Sequence, residues 1–351
     1  LTRHKADAGF EPIPVEAEAV LDPAWIHTAF DLAPDVRVLE ASSVDAIKTV
    51  ADKLRFRVEF ETGEGERRSL YCCAKAHFGE AGQGSLVTEA HVYRDLLPNV
   101  AVRVPRTHYI AVDDDAGRAI IVMEDLEAQG ARFLNAHEPY EVALARETLS
   151  QLALLHASTW NDTRWTRYEW LAPRLGMVEW FAEESLQSLL DDGRSPHVPE
   201  PLRTATNLIA ALENTAAIPG TCVIHGDTHS GNSYLDAQGV PHWLDWQITQ
   251  WGNWSLDVSY HLGTVLTVED RRAHERELID HYLEQLRSHR SSGDQLPSSA
   301  EGYDSYAAGF AWGWFLWTIT TISSRAVVLE HIPRITTAMT DHDTLARLGA
   351  C

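Results

Sequence analysis

His225-Gly226-Asp227-Thr228-His229-Ser230-Gly231-Asn232, followed by Asp245 at 245 − 227 = 18 residues beyond Asp227, is the stretch on which the reading of this chain turns. It lies between two apolar runs, Thr221 to Ile224 and His242 to Trp246. Those runs read as short buried strands, and the Gly and Ser between them read as loop. Folded so, the oxygens of Asp227, Asn232 and Asp245 gather around one small loop. Hard oxygen donors in such a group suit Mg²⁺, which shares its ligands with phosphate.

Outward from the loop, the chain divides by texture. Residues 1–20 are polar with Pro12 and Pro14 and read as an extended arm. Asp22-Pro23 opens a short helix through Phe30, since Asp caps and Pro suits the first turn. From Val36 to Met123 the pattern is that of strands. Leu54 to Glu61 alternates with period two, Thr62-Gly63-Glu64-Gly65 turns, and Arg67 to Phe78 returns, which predicts a hairpin. Leu86 to Leu97 has helical spacing, and Tyr109–Val112 with Ala119–Met123 forms a second strand pair. After Glu124-Asp125-Leu126 the pattern becomes helical: Pro139 to Trp160, then 178–191, 200–214, 255–267, 269–289, 300–330 and 341–349. The segments Asp192 to Pro201 and Ser291 to Ser299 read as loops. A β-rich first third and a helical remainder predict two lobes: 1–124, a hinge at 125–128, and 129–351. The fold class expected is α+β, a small antiparallel-sheet N-lobe with a larger, mainly helical C-lobe.

Composition narrows the partners. Lys plus Arg number 29 against 51 Asp plus Glu, a net charge of −22, which argues against nucleic acid and anionic membranes and permits a cationic substrate. Apolar residues make up 44%, as in a globular chain. The four cysteines, Cys72, Cys73, Cys222 and Cys351, form no disulfide framework, which fits a cytoplasmic location. The start, Leu1-Thr2-Arg3-His4, does not read as a signal peptide. The apolar run Phe310 to Ile322 is too short to span a bilayer.

The charged residues then acquire roles. The chain has only four lysines, Lys5, Lys48, Lys53 and Lys75, and Lys75 stands inside the apolar strand Leu70 to Ala76. An ammonium there can bind nucleotide phosphates as a point charge, with Glu89 on the following helix to hold it; a solvated strand lysine is the plainer reading. The spacing D-x-x-x-x-N of Asp227 and Asn232 is that of a kinase catalytic loop. Asp227 would accept the proton of the substrate hydroxyl, while Asn232 and Asp245 would hold Mg²⁺. His229 would brace the loop, and His225 would pack behind Asp227. A polar-tipped hairpin, or a His/Asp metal-hydrolase centre completed by His242 and Asp245, are the competing readings. Glu124 and Leu126 follow a strand where backbone groups could meet an adenine edge; an ordinary acidic helix start would look the same. The segment Ala41 to Asp52, where a phosphate-cradling loop belongs, contains no glycine, so Ser42 and Ser43 become the candidate donors. The late aromatics, Trp243 to Trp254 and Phe310 to Trp317, fit a core stripe or an apolar acceptor pocket.

On these residues the chain resembles the aminoglycoside phosphotransferase / choline kinase-like superfamily, with a protein-kinase-like fold, over roughly 36–335. The strongest likeness lies in His225–Asn232, Leu244-Asp245-Trp246-Gln247 and Asp257-Val258-Ser259-Tyr260-His261-Leu262. Asp-Trp-Gln and Val122-Met123-Glu124-Asp125-Leu126 are most similar to the ecdysteroid-kinase-like (CHK kinase-like) branch. The resemblance implies Asp227 as base, Asn232 and Asp245 on Mg²⁺, Lys75 on the phosphates of ATP and Glu89 as its partner. It departs at Thr228, where an apolar residue is usual, at Ser230, where Pro is common, and in the glycine-free loop. The function expected is an ATP- and Mg²⁺-dependent kinase for a hydroxyl of a small, fairly apolar molecule, steroid, lipid-like or aromatic. A cationic aminoglycoside or choline-like acceptor, or a non-catalytic ligand-binding pseudokinase, are the alternatives. The sequence leaves oligomeric state open.

Overall fold

A computed structural model describes residues 11–48, 50–79, 85–195, 197–291 and 294–351. The first ten residues of the expected arm, Thr49, Pro196 and Ser292-Gly293 of the expected loops lie outside them. Two compact units form, one from the described residues up to Pro98 with Val104–Ala131, the other from Asn99–Arg103 with Arg132–Cys351.

The first unit is an antiparallel sheet of order β1-β2-β3-β5-β4, with β1 Arg37–Lys48, β2 Asp52–Glu61, β3 Arg67–Ala76, β4 Thr107–Asp113 and β5 Arg118–Glu124. Period-two alternation puts Leu54, Phe56, Val58, Cys72, Ala74, Ile120 and Val122 on one face. Helix α1, Pro23–Ala29, covers that face with Trp25, Ile26 and Ala29. Asp22 caps it, its carboxylate accepting from the N–H groups of Ala24 at 2.7 Å and Trp25 at 3.1 Å. Helix α2, Ser85–His91, packs near β4 and β5, and a π-turn, Val92–Leu96, follows it. In α2 Leu86, Glu89 and Ala90 share one buried face by their three- and four-residue spacing.

β1 corrects the sequence reading. The segment 41–52, expected as a loop, is strand as far as Lys48, and Ser42 and Ser43 pair with Arg57 and Phe56 inside it. β1 is an edge strand exposed over most of its length; Val38 and Ala41 pack against the core, too few to print an apolar alternation.

The second unit is mainly helical: α3 Val142–Thr159, α4 Glu183–Leu190, α5 Ala205–Asn214, α6 Trp254–Val265, α7 Val268–Ser288, α8 Ser299–Ala308, α9 Phe310–Ile319, α10 Arg325–Asp341 and α11 Thr344–Arg347. The expected helical span 300–330 is therefore three helices. Gly309 separates α8 from α9, where a Cβ would lie 2.5 Å from the Ser255 carbonyl oxygen. Every residue of α6 is buried, and α3, α8, α9 and α10 pack around it. Short strands complete the unit: β7 Thr221–Ile224 pairs with β10 Gln250–Asn253, and β8 Ser233–Leu235 lies between β6 Arg132–Phe133 and β9 Pro241–Trp243. The two apolar runs flanking the polar loop thus belong to different sheets. Trp243, Trp246, Trp254, Trp312 and Trp314 are core. Among the described residues no helix is long and apolar enough to cross a membrane.

Candidate active site

In the first unit, Lys75 alternates onto the sheet face opposite Cys72 and Ala74, where α2 meets it. Its Nζ lies 2.6 Å from Glu89 Oε2, with the side chains 5% and 1% exposed. Breaking so buried a pair costs about 3–5 kcal/mol. The chain after β5 is redirected at Asp125, which the sequence reading placed in the hinge without a role of its own. Its carboxylate accepts from Arg55 Nε at 2.9 Å and from the N–H groups of Glu127 at 3.1 Å and Ala128 at 3.3 Å. Glu124 N–H donates to the Arg106 carbonyl and Leu126 C=O accepts from Ala131, so these two backbone groups are internally satisfied.

In the second unit, the loop after β7 brings Asp227, Asn232 and Asp245 to one cavity of about 370 Å³. Both oxygens of Asp227 are held: Tyr260 O–H donates to Oδ1 at 2.9 Å, and Asn232 Nδ2 donates to Oδ2 at 2.8 Å. Burial first, then the charge of Asp227, drives the Tyr260 hydroxyl well above its ordinary pKa of 10, so it stays a donor. Leu244 N–H donates to the Asn232 carbonyl at 3.0 Å, which sets Asp245 beside Asn232. Asp245 has φ +62, left-handed backbone that costs a non-glycine residue about 1–2 kcal/mol.

The loop hangs from α6 and α9. Fully buried Asp257 accepts from the N–H of His225 at 2.7 Å, the N–H of Gly226 at 2.8 Å and His156 Nε2 at 3.1 Å. Thr228 Oγ1 donates to the Asp257 carbonyl at 2.8 Å, which gives a hydroxyl a purpose where an apolar residue was usual. Trp312 Nε1 donates to the Gly226 carbonyl at 2.7 Å. Gly226 is required twice over, by φ +87 and because a Cβ would stand 2.4 Å from the Ile248 carbonyl oxygen. Gly231 lacks a positive φ; it is small because the His229 ring occupies the space of its Cβ, at 2.8 Å.

The histidines are structural. His225 Nδ1 accepts the Asp227 N–H at 3.2 Å and its Nε2 donates to the Leu244 carbonyl at 3.1 Å. Burial lowers its pKa, and the rings of Trp243 and Trp246 lie against it. His229 Nδ1 accepts from Gly231 N–H at 3.0 Å, and His242 Nε2 is engaged by Asp236 at 3.2 Å. Both ring nitrogens of His225 are used, and His229, accepting at Nδ1, carries its proton on Nε2, so neither offers a lone pair to a His/Asp hydrolase metal. Among the described residues no three His, Cys, Asp or Glu side chains are grouped to hold a metal ion. The oxygens of Asn232 and Asp245 fit Mg²⁺, which takes one or two protein ligands and completes its shell with water and phosphate. The Nδ2 of Asn232 is used on Asp227, which leaves Oδ1, the atom a hard cation requires.

Tyr260, Asp257 and Trp312 as loop supports escaped the sequence reading. Asp257 and Tyr260 stood in a quoted motif, but an acid near a helix start explains itself locally by the dipole. Trp317 alone of the α9 tryptophans lines the cavity, with Ile248, Leu316, Ile319 and Ile322.

A model of the phosphotransferase enzyme family matches residues 47–295, and the chain belongs to that family of enzymes. No curated protein matches the sequence significantly. Choline kinase from Cryptosporidium parvum Iowa II is 12% identical with a TM-score of 0.51, covering 88% of each chain. Spectinomycin phosphotransferase APH(9)-Ia, solved with ADP and spectinomycin, is 9% identical with a TM-score of 0.51, covering 94% of this chain and 99% of its own. Both are similar to this chain in fold.

Proposed function

We propose that the protein is an ATP- and Mg²⁺-dependent kinase that phosphorylates a hydroxyl of a small, fairly apolar molecule, of the kind suggested by its likeness to the ecdysteroid-kinase-like branch. The observation that carries this reading is Asp227, a carboxylate fixed at both oxygens at a cavity walled by Ile248, Leu316, Trp317, Ile319 and Ile322. Among the described residues that wall has no carboxylate beyond Asp227 and Asp245 to favour a polycationic aminoglycoside.

In the reaction the acceptor hydroxyl donates its proton to Asp227 while its oxygen attacks the γ-phosphorus. The bond to the β,γ-bridging oxygen breaks, and ADP leaves with that electron pair. Lys75, steadied by Glu89, takes the α- and β-phosphates; the Glu124 C=O and Leu126 N–H, rather than the two backbone groups already satisfied, take the adenine edge; Ser42, paired with Arg57 on the Lys75 face of the sheet, offers a further donor, whereas Ser43 pairs with Phe56 on the opposite face. Asn232 and Asp245 would hold Mg²⁺, which when bound neutralises phosphate charge. The protein's own contribution is positioning and electrostatics. A cytoplasmic enzyme with ATP at hand fits this role.

ADP release from ATP·Mg²⁺ across a panel of hydroxylated compounds tests the proposal. The expected result is turnover with apolar alcohols that Asp227→Asn lowers roughly 10²–10⁴-fold, with ADP binding retained. Turnover confined to aminoglycosides or choline-like amines would refute the apolar acceptor. No turnover with any compound, and no rise in melting temperature with nucleotide, would leave a pseudokinase.

A further inference from the structure

The cavity beside Asp227 takes Leu316, Trp317 and Ile319–Ser323 from one continuous stretch, the end of α9 and the link to α10. The last carbonyls of a helix have no partner within it. Here two at that end, Thr318 and Thr320, accept from the same Arg194 Nη1, at 3.1 Å and 2.7 Å. Arg194 is aimed by Asp192, whose Oδ1 accepts the Arg194 N–H at 2.9 Å and whose Oδ2 accepts Nε at 2.8 Å. Gly193, at φ +85, turns the chain between them, and its carbonyl accepts from Arg325 Nη2 at 2.8 Å. Arg325 opens α10, so the turn Asp192-Gly193-Arg194 clasps both ends of the Thr320–Ser324 link. The link has little packing of its own, and Ile322 is 76% exposed.

We infer that Arg194, outside the cavity, is a positioning residue that fixes the acceptor wall and so determines acceptor specificity. This rests on reading the cavity as the acceptor site. Arg194→Ala leaves both carbonyls without their donor and frees the link, while Lys75, Asp227, Asn232 and Asp245 keep their own partners. Acceptor binding falls roughly 10- to 100-fold, the scale on which small misplacements act, and nucleotide binding does not change.

Hydrogen–deuterium exchange of the full chain, with titrations of 2-naphthol (a fluorescent apolar alcohol) and ADP·Mg²⁺, tests it. In Arg194→Ala, amides of 318–324 should exchange at least about tenfold faster while α6 is unaltered. The Kd of 2-naphthol should rise and that of ADP stay put, and Arg194→Lys, a single point donor, should fall between. Unchanged exchange in 318–324, or parallel loss of 2-naphthol and ADP affinity, overturns the inference. Faster exchange in a protein whose wild type ignores 2-naphthol upholds the clasp and counts against the apolar acceptor instead. Should Arg194→Ala not fold, Asp192→Asn loosens the same guanidinium and is read by the same two measurements.

Discussion

Replacing Asp257 by Asn removes one acceptor from the support of the reactive loop and changes almost no volume. The carboxylate accepts three hydrogen bonds, two from the backbone of His225 and Gly226 and one from His156. An amide must turn its NH₂ toward one side. The cheaper choice faces Gly226, which leaves one buried N–H unsatisfied and reduces the other two bonds from charge-assisted to neutral. With charge-assisted bonds contributing about 1.5–3 kcal/mol and neutral ones about 1, the bond lost and the two weakened sum to about 2.5–7 kcal/mol. For a unit of this size each kcal/mol moves the midpoint by about 2–4 °C, so differential scanning calorimetry should show a fall of at least about 5 °C. Phosphotransfer should fall as well, because the displaced backbone carries Asp227. A midpoint within about 2 °C of wild type would refute the claim that Asp257 suspends the loop.

Gly226→Ala should destabilise by about 1–2 kcal/mol from φ alone and further from the contact with Ile248; a urea midpoint equal to wild type would contradict the close approach. Glu89→Gln should weaken both stability and ADP affinity by breaking the buried ion pair with Lys75, about 3–5 kcal/mol in the former, read by denaturation and calorimetric titration. Acid should destabilise through the buried imidazoles. Burial lowers the pKa of His225 and His331 and brings His261 down to about 4, against an ordinary 6.5. The unfolded chain therefore binds protons that the folded one refuses. Their stability is complete above pH 6.5 and is lost as pH falls toward the folded values, about 3 kcal/mol from His261 alone. Urea midpoints between pH 7 and 4 should decline, less steeply in His261→Asn.

The sequence disclosed what is local. The β2–β3 hairpin was legible because its alternation is the burial pattern itself, and α1 because Asp22 and Pro23 announce a helix start. Asp227, Asn232 and Asp245 were legible because one short loop and its neighbour bring them together. β1 was not, since an edge strand that packs little more than Val38 and Ala41 on the core shows no clear period. Nor was the pairing of β7 with β10, because an apolar run records that it is buried and not against what. The breaks in 300–330 come from the tight approach of Gly309 to α6 and from a clasp more than a hundred residues upstream. Asp257, Tyr260 and Trp312 act through tertiary contacts that leave no spacing to read.

Loop 225–232 is suspended from Asp257 and Trp312, whereas the link Thr320–Ser324 is held by Arg194 and Arg325. Among the described residues, none of the hydrogen bonds to the loop comes from 320–323. If the loop does the chemistry and the link the recognition, as proposed, the two hang on separate hydrogen bonds. On the proposed function, substitutions in the link would remodel which acceptor is admitted while Asp227 keeps the partners that aim it, so an altered range of acceptors would not require an inactive intermediate.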